Sequence, residues 1–239
     1  MKTFRLVPLL AVVGLASCGS PQSKFSGTAE EHRSALVPSP VITYAAERGL
    51  VDVRSVLPDV VCDLRYATKK NVTGQALYPP DMPCLLNQRT AEKLRHAQDL
   101  LKAQGFGLKI WDAWRPPEVQ VELFRYGGHT NMFLDPKVAW SFHCSGTSVD
   151  VTLVDHQGRE LPLPTYFDEA SPKANIYTPI PDARARHNIY ILQKAMIDSG
   201  FTLLDMEWWH FDDGEFHNVV TRLPVVFAQE IGLKLPLLK

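Results

Sequence analysis

One stretch limits the folds open to this chain more than any other: Ser141-Phe142-His143-Cys144-Ser145-Gly146-Thr147-Ser148-Val149-Asp150. From residue 148 to 153 the side chains alternate. Val149, Val151 and Leu153 share one face of a strand, and Ser148, Asp150 and Thr152 share the other. A strand of that kind needs a sheet with a buried side. The Gly146-containing turn before it can fold His143 back over the polar face, so an imidazole and the Asp150 carboxylate can converge on one point.

Helical periodicity supplies the elements around that strand. Ala91, Leu94, Ala97 and Leu101 recur at helical spacing over 88–104, with Asn87 as N-cap and Gly105 as the stop. A second helix over 185–199 aligns Ile189, Leu192 and Met196 and ends at Gly200. A shorter one starts at Pro117, where proline is tolerated in the first turn, and runs to about Tyr126. Strands are expected at 108–111 and 201–204, each after a long helix. There is no regular βαβ rhythm and no Gly-rich phosphate loop, so an α+β domain is the expected class.

The chain has 239 residues, 45% apolar and 21% charged, which describes a globular protein and excludes a disordered or polytopic membrane chain. A net charge of -1 gives no general attraction for nucleic acid. At the N-terminus Lys2 and Arg5 precede an apolar run over 6–15, too short to span a bilayer and suited to a signal h-region. Leu15-Ala16-Ser17-Cys18 resembles a bacterial lipobox, which implies a signal peptide over 1–17 and lipidation at Cys18. Residues 18–40 read as a tether rich in Ser, Pro, Gly and charge, and 41–239 as one domain. The expected setting is the cell envelope, with an exported lipoprotein on the periplasmic side of a membrane. Nothing in the sequence points to an obligate protein partner.

Glu207-Trp208-Trp209-His210 completes the chemistry. Two imidazoles and one carboxylate (His143, His210, Asp150) suit Zn²⁺ with its fourth position left to water, whose pKa the metal lowers to about 7. Glu207, a second carboxylate that is not a ligand, is the candidate general base. On a regular strand positions 207 and 210 face opposite sides, so a bend or bulge is required between them. The HExxH helix is absent, which excludes a thermolysin-type protease. Of the eight histidines only these two are candidates; His32 lies in the tether, His96 in an ordinary amphipathic helix, and His129, His156, His187 and His217 in loop or helix-surface contexts.

The pattern SxHxxGxxxD followed by ExxWH resembles the VanX-type zinc D-alanyl-D-alanine dipeptidases, within the zinc D,D-peptidases of hedgehog-like fold. Asp63-Leu64-Arg65-Tyr66-Ala67-Thr68, Asn71-Val72-Thr73-Gly74 and Trp111-Asp112-Ala113-Trp114-Arg115-Pro116 extend the resemblance over roughly residues 50–215. It implies a mainly antiparallel central sheet flanked by helices, and one zinc ion per chain on His143, Asp150 and His210. It implies Glu207 as base, Arg115 polarising the scissile carbonyl, and Tyr66, Ser141 and Asp168 as substrate contacts, with Asp168 facing the substrate ammonium. The implied reaction is hydrolysis of D-alanyl-D-alanine, a small D,D-dipeptide, in cell-wall peptide turnover. The alternatives are a peptidoglycan D,D-carboxypeptidase or endopeptidase, or an inactive zinc-containing binding module. Trp114 stands where relatives commonly carry Tyr, a larger group that could reshape the pocket.

Four cysteines and no CxxC pair exclude a thiolate zinc cluster. Cys144 follows a candidate ligand, but adjacent side chains on extended backbone point apart, so it reads as a structural thiol. Cys62 and Cys84 flank the Tyr66 segment, and export makes a disulfide between them a candidate.

Overall fold

Helix α1 (Pro40–Glu47) is capped by the Ser39 hydroxyl, which accepts from the Ile42 N–H, and Pro40 sits in the first turn where its missing N–H costs nothing. The computed structural model describes residues 39–130, 132–217 and 223–236. The predicted signal peptide, Cys18 and the tether as far as residue 38 lie outside the described residues; Ser39 and Pro40, the last two tether positions, belong to the fold.

Two sheets follow. β1 (Leu50–Asp52) pairs antiparallel with β3 (Leu85–Asn87). The main sheet comprises β2 (Val61–Cys62), β4 (Phe106–Asp112), β5 (Ser148–Asp155), β6 (Phe201–Leu204) and β7 (Glu207–Asp213). Its order is β2-β4-β5-β7-β6, antiparallel throughout except for the β2–β4 edge. The expected α+β class, with a mainly antiparallel central sheet, holds.

The helices form where the apolar spacing places them. α2 (Gln88–Lys102) buries Ala91, Leu94, Ala97 and Leu101, is capped by Asn87, and stops short of Gly105 at φ +84°. α3 (Pro117–Gly127) starts at its proline. α4 (Ala183–Asp198) begins two residues before the expected start, because the Asp182 carboxylate caps it by accepting from the Ala185 N–H at 2.7 Å. α2 packs on α4, and both pack on the sheet. On β5, Val149, Val151 and Leu153 join the core, yet Ser148, Asp150 and Thr152 are buried too. The polar face is therefore an interior surface, and every polar group on it must find a partner.

Two irregularities aim that face. Between β4 and β5 the register passes from Ile110↔Val151 to Asp112↔Asp150, so the extra residue Trp111 brings Asp112 onto the side of Asp150. Between β6 and β7 it passes from Leu203↔Phe211 to Leu204↔Glu207, leaving 208–210 as an excursion. This is the departure from alternation that the spacing of Glu207 and His210 requires.

Candidate active site

Asp150 and His210 are direct cross-strand partners on β5 and β7. His143 reaches them from a 3₁₀ turn, Phe142–Ser145, which the Ser141 hydroxyl caps and Gly146 closes at φ +70°. A Cβ on Gly146 would lie 2.6 Å from Leu50 Cδ2 and 2.9 Å from the Asn87 nitrogen, so both conformation and space demand glycine there.

Three donor atoms meet. His143 Nε2 lies 3.2 Å from His210 Nδ1 and 3.3 Å from Asp150 Oδ1, and His210 Nδ1 lies 3.0 Å from the same oxygen. The outer nitrogens are occupied. His143 Nδ1 donates to the Ala113 carbonyl at 2.7 Å, and His210 Nε2 donates to Asp212 Oδ1 at 2.9 Å. Both rings therefore turn a lone pair inward. Tetrahedral zinc, with bonds of about 2.0–2.1 Å, separates its ligand atoms by about 3.3 Å, which the triangle matches. Such a triangle calls for positive charge. Burial raises the Asp150 carboxyl, but the imidazoles of His143 and His210 outweigh it and hold the group well below its ordinary range. Burial likewise opposes charge on His210, yet Asp212 and Asp150 push its proton affinity well up. A proton or a cation fits; an empty apolar gap does not.

Glu207 lies beside the triangle, with Oε2 4.0 Å from His210 Nδ1. Burial pushes its carboxyl up to about 8, against the pull of His210 and with help from Asp150 and Asp168. Arg115 is buried as well. Its Nε donates to Asp112 Oδ2 at 2.9 Å, Nη2 is ion-paired with the same oxygen at 2.9 Å, Nη1 donates to Gln120 Oε1 at 2.8 Å, and Nη2 stands 3.6 Å from Asp150 Oδ2. The guanidinium lies over the Tyr66 ring, 5.2 Å from its centroid. Tyr66 in turn donates its hydroxyl to Asp168 Oδ1 at 3.1 Å, and the Val72 N–H donates to Oδ2 at 3.3 Å. Asp168 holds φ +57°, and burial pushes its carboxyl up to about 7 although Arg115 opposes the shift.

The structure thus brings together His143, Asp150, His210, Glu207, Arg115, Tyr66 and Asp168. Ser141 is different. Its hydroxyl accepts from the His143 N–H, and it borders a separate apolar cavity with Ala139, Trp140 and Phe142. Its visible work is to fix the turn carrying His143. Trp114 does not reshape the pocket, because its indole is buried in the core and donates to the Val226 carbonyl at 3.1 Å. Cys144 stays outside the triangle, its thiol pushed up to about 12 by burial. Cys62 and Cys84 are free thiols, not joined as a disulfide.

Several supporting residues went unread in the sequence. Asp112 anchors Arg115 and accepts the Tyr78 hydroxyl at 2.8 Å. Asp212 accepts from His210, from Ser148, and through Oδ2 from half-exposed His217 at 3.2 Å. The strand period carried a signal for Asp212, since a residue two positions past His210 shares its face.

Comparison with known proteins gives a consistent picture. Residues 46–225 match the Peptidase_M15 family, described as D-ala-D-ala dipeptidase. The D-alanyl-D-alanine dipeptidase of Escherichia coli K12 is 33% identical over 163 residues, covering 68% of this chain and 83% of that protein. The protein of that name from Enterococcus faecium is 28% identical over 184 residues, covering 69% and 91%.

Proposed function

Because this chain belongs to the Peptidase_M15 family of D-Ala-D-Ala dipeptidases, we propose that the cluster of His143, Asp150, His210 and Glu207 is its hydrolytic centre. The chain is a hydrolase of D-alanyl-D-alanine, releasing D-alanine. The observation that carries the assignment of the centre is the 3.0–3.3 Å triangle of donor atoms with a buried carboxyl 4.0 Å from one corner.

In this reading His143, Asp150 and His210 hold one zinc ion. When bound, that ion supplies Lewis acidity, acidifying a water and polarising a carbonyl. Glu207, the carboxylate 4.0 Å from the His210 corner of the triangle, accepts the proton of the attacking water and passes it to the leaving amine. Arg115, immobilised by Asp112 and Gln120, offers its remaining N–H groups to the carbonyl oxygen as negative charge develops. Tyr66 orients Asp168, and Asp168 receives the substrate ammonium.

Burial favours a dipeptide over a polymer. His143, Asp150, His210, Glu207 and Asp168 are each at most 8% exposed, which suits a small substrate better than a peptidoglycan strand. A binding module, for its part, has no use for a buried base beside a pre-aimed guanidinium. Assays with free and N-acetylated D-Ala-D-Ala, with and without a chelator, test the reading. The free dipeptide is expected to be cleaved, the acetylated one spared, and the chelator to stop turnover. Equal cleavage of both peptides would favour a carboxypeptidase instead. An exported, lipid-anchored enzyme would act in wall-peptide turnover at the envelope, and absence of palmitate label on the protein would remove the anchor from this reading.

Asp168→Asn separates recognition from stability. Loss of the counter-charge is expected to lower kcat/KM for the free dipeptide about 10- to 100-fold, the worth of a charged hydrogen bond. Stability moves the other way. The folded carboxyl titrates at about 7, above the unfolded value of about 4, so burying it in ionised form opposes folding. That cost is absent below about pH 4, grows with pH, and is complete above about pH 7. The metal-free variant should therefore melt higher than the metal-free wild type, by more at about pH 8 than at about pH 5. Equal melting temperatures at both pH values would contradict this account.

A further inference from the structure

A cavity of about 1010 Å³ lies over the polar face of the main sheet, bordered by Thr152, two positions along β5 from Asp150. None of the seven residues gathered in the active site borders it. Phe167 stands between the two places, its ring 5.4 Å from Tyr66 and 5.6 Å from Trp111, centroid to centroid. Arg115 lies over Tyr66 on the active-site side, and Arg65 lies over Trp111 on the cavity side, 5.1 Å from its centroid.

Fixed charges build the floor of this cavity. Arg65 is ion-paired with Glu160, whose Oε1 also accepts from Lys109 Nζ and Trp111 Nε1, each at 3.2 Å. Asp63 Oδ2 stands 3.3 Å from Arg65 Nη2, so two cations meet two carboxylates. Arg65 Nε is nonetheless buried without a hydrogen-bond partner, a donor left unspent. The rim is not balanced. Lys69, Lys70 and Lys173 border the cavity, are exposed, and form no ion pair among the described residues. Against them the rim sets Glu169, which already accepts from the Tyr166 N–H at 3.2 Å. Apolar surface lies between the charges: the Tyr166 side chain is 84% exposed, and the run 161–164 adds two leucines and two prolines.

We propose that this cavity is a second binding site, for acidic peptides, with ligand carboxylates at Lys69, Lys70 and Lys173 and an apolar side chain against Tyr166. Lysines act as mobile point charges and suit carboxylates spread along a chain. The volume and the apolar lining suit an organic ligand better than a bare inorganic anion. The walls of the cavity are also the supports of Asp168. Val72 borders the cavity and donates its N–H to Asp168 Oδ2, and Phe167 immediately precedes Asp168. A peptide bridging both walls holds them in the arrangement that presents Asp168. On the reading that Asp168 receives the substrate ammonium, bound peptide should therefore lower KM for D-Ala-D-Ala.

The test titrates the full chain calorimetrically with the N-acetylated tripeptide Glu-Phe-Glu, whose blocked amine has no use for Asp168. The acidic peptide is expected to bind saturably, and its uncharged counterpart, amidated Gln-Phe-Gln, not to bind. The double variant Lys69→Gln/Lys70→Gln should weaken binding about 5- to 10-fold, the worth of two exposed ion pairs, and about 0.5 M salt should weaken it in the wild type. Tyr166→Ala should weaken it as well. Equal binding of the neutral peptide, or wild-type affinity in both variants, would overturn the site. Inorganic phosphate binding as tightly as the peptide would overturn the peptide as its ligand. Binding is read without turnover, so its failure is distinct from failure of the dipeptidase centre. Saturating peptide that leaves KM unchanged would overturn the link to Asp168.

Discussion

Glu207→Gln should bind metal as the wild type does and hydrolyse D-Ala-D-Ala about 10²–10⁴-fold more slowly, the usual worth of a positioned general base. Glutamine keeps the shape of the side chain, so the 208–210 excursion that turns position 207 toward His210 has no reason to change. What it loses is the capacity to take a proton. The fold should not suffer, because the native carboxyl is buried and already pushed up to about 8 by that burial. Turnover measured beside metal content and melting temperature checks the prediction. A near-native rate with a full metal complement would remove Glu207 from the role of base. Loss of metal would make the carboxylate a ligand.

His210→Ala should fall from about one zinc ion per chain to almost none, and activity should fall with it, because two ligands rarely hold zinc against competition. The milder partner of this experiment is Asp212→Asn. The native carboxylate receives His210 through Oδ1 and His217 through Oδ2, and the Ser148 hydroxyl also donates to it. Burial raises this carboxyl, but His210 and Ser148 hold it well below its ordinary range, so it presents a full negative charge to the back of the ring. Asparagine removes that charge and offers one carbonyl in place of two acceptors. Metal affinity should drop about 10- to 100-fold while the triangle survives. Chelator competition gives both numbers. An Asp212→Asn curve lying on that of the wild type would reduce the carboxylate to a strand-pairing element.

The readable parts of this protein are those whose information is local. Asn87 and Gly105 bracket α2, Pro117 opens α3, and Gly200 stops α4, because caps and breakers act on the next few backbone groups. His143, Asp150, Glu207 and His210 were legible for a different reason, since chemistry restricts which residue types can serve at that spacing. What could not be read was decided by register. The slip at Trp111 carries Asp112 to the side of Asp150, and neither residue announces it. Trp114 illustrates the same limit: whether an indole lines a pocket or braces the core depends on the Val226 carbonyl, 112 residues away. Ser141 shows the limit too, because a hydroxyl that caps a turn and one that greets a substrate look alike in sequence.

The place of Asp150 and His210 in the sheet has a consequence for how the protein comes apart. They lie opposite each other on β5 and β7, the inner strands of the main sheet, although residues 208–210 leave the β6 register. Inner strands of a sheet are commonly among the last parts of a domain to open. Asp168 belongs to an irregular segment suspended from Tyr66 and Val72, which can fluctuate open while the sheet stays closed. On warming, the grip on the dipeptide should loosen first, and the metal should leave only with the cooperative collapse of the sheet.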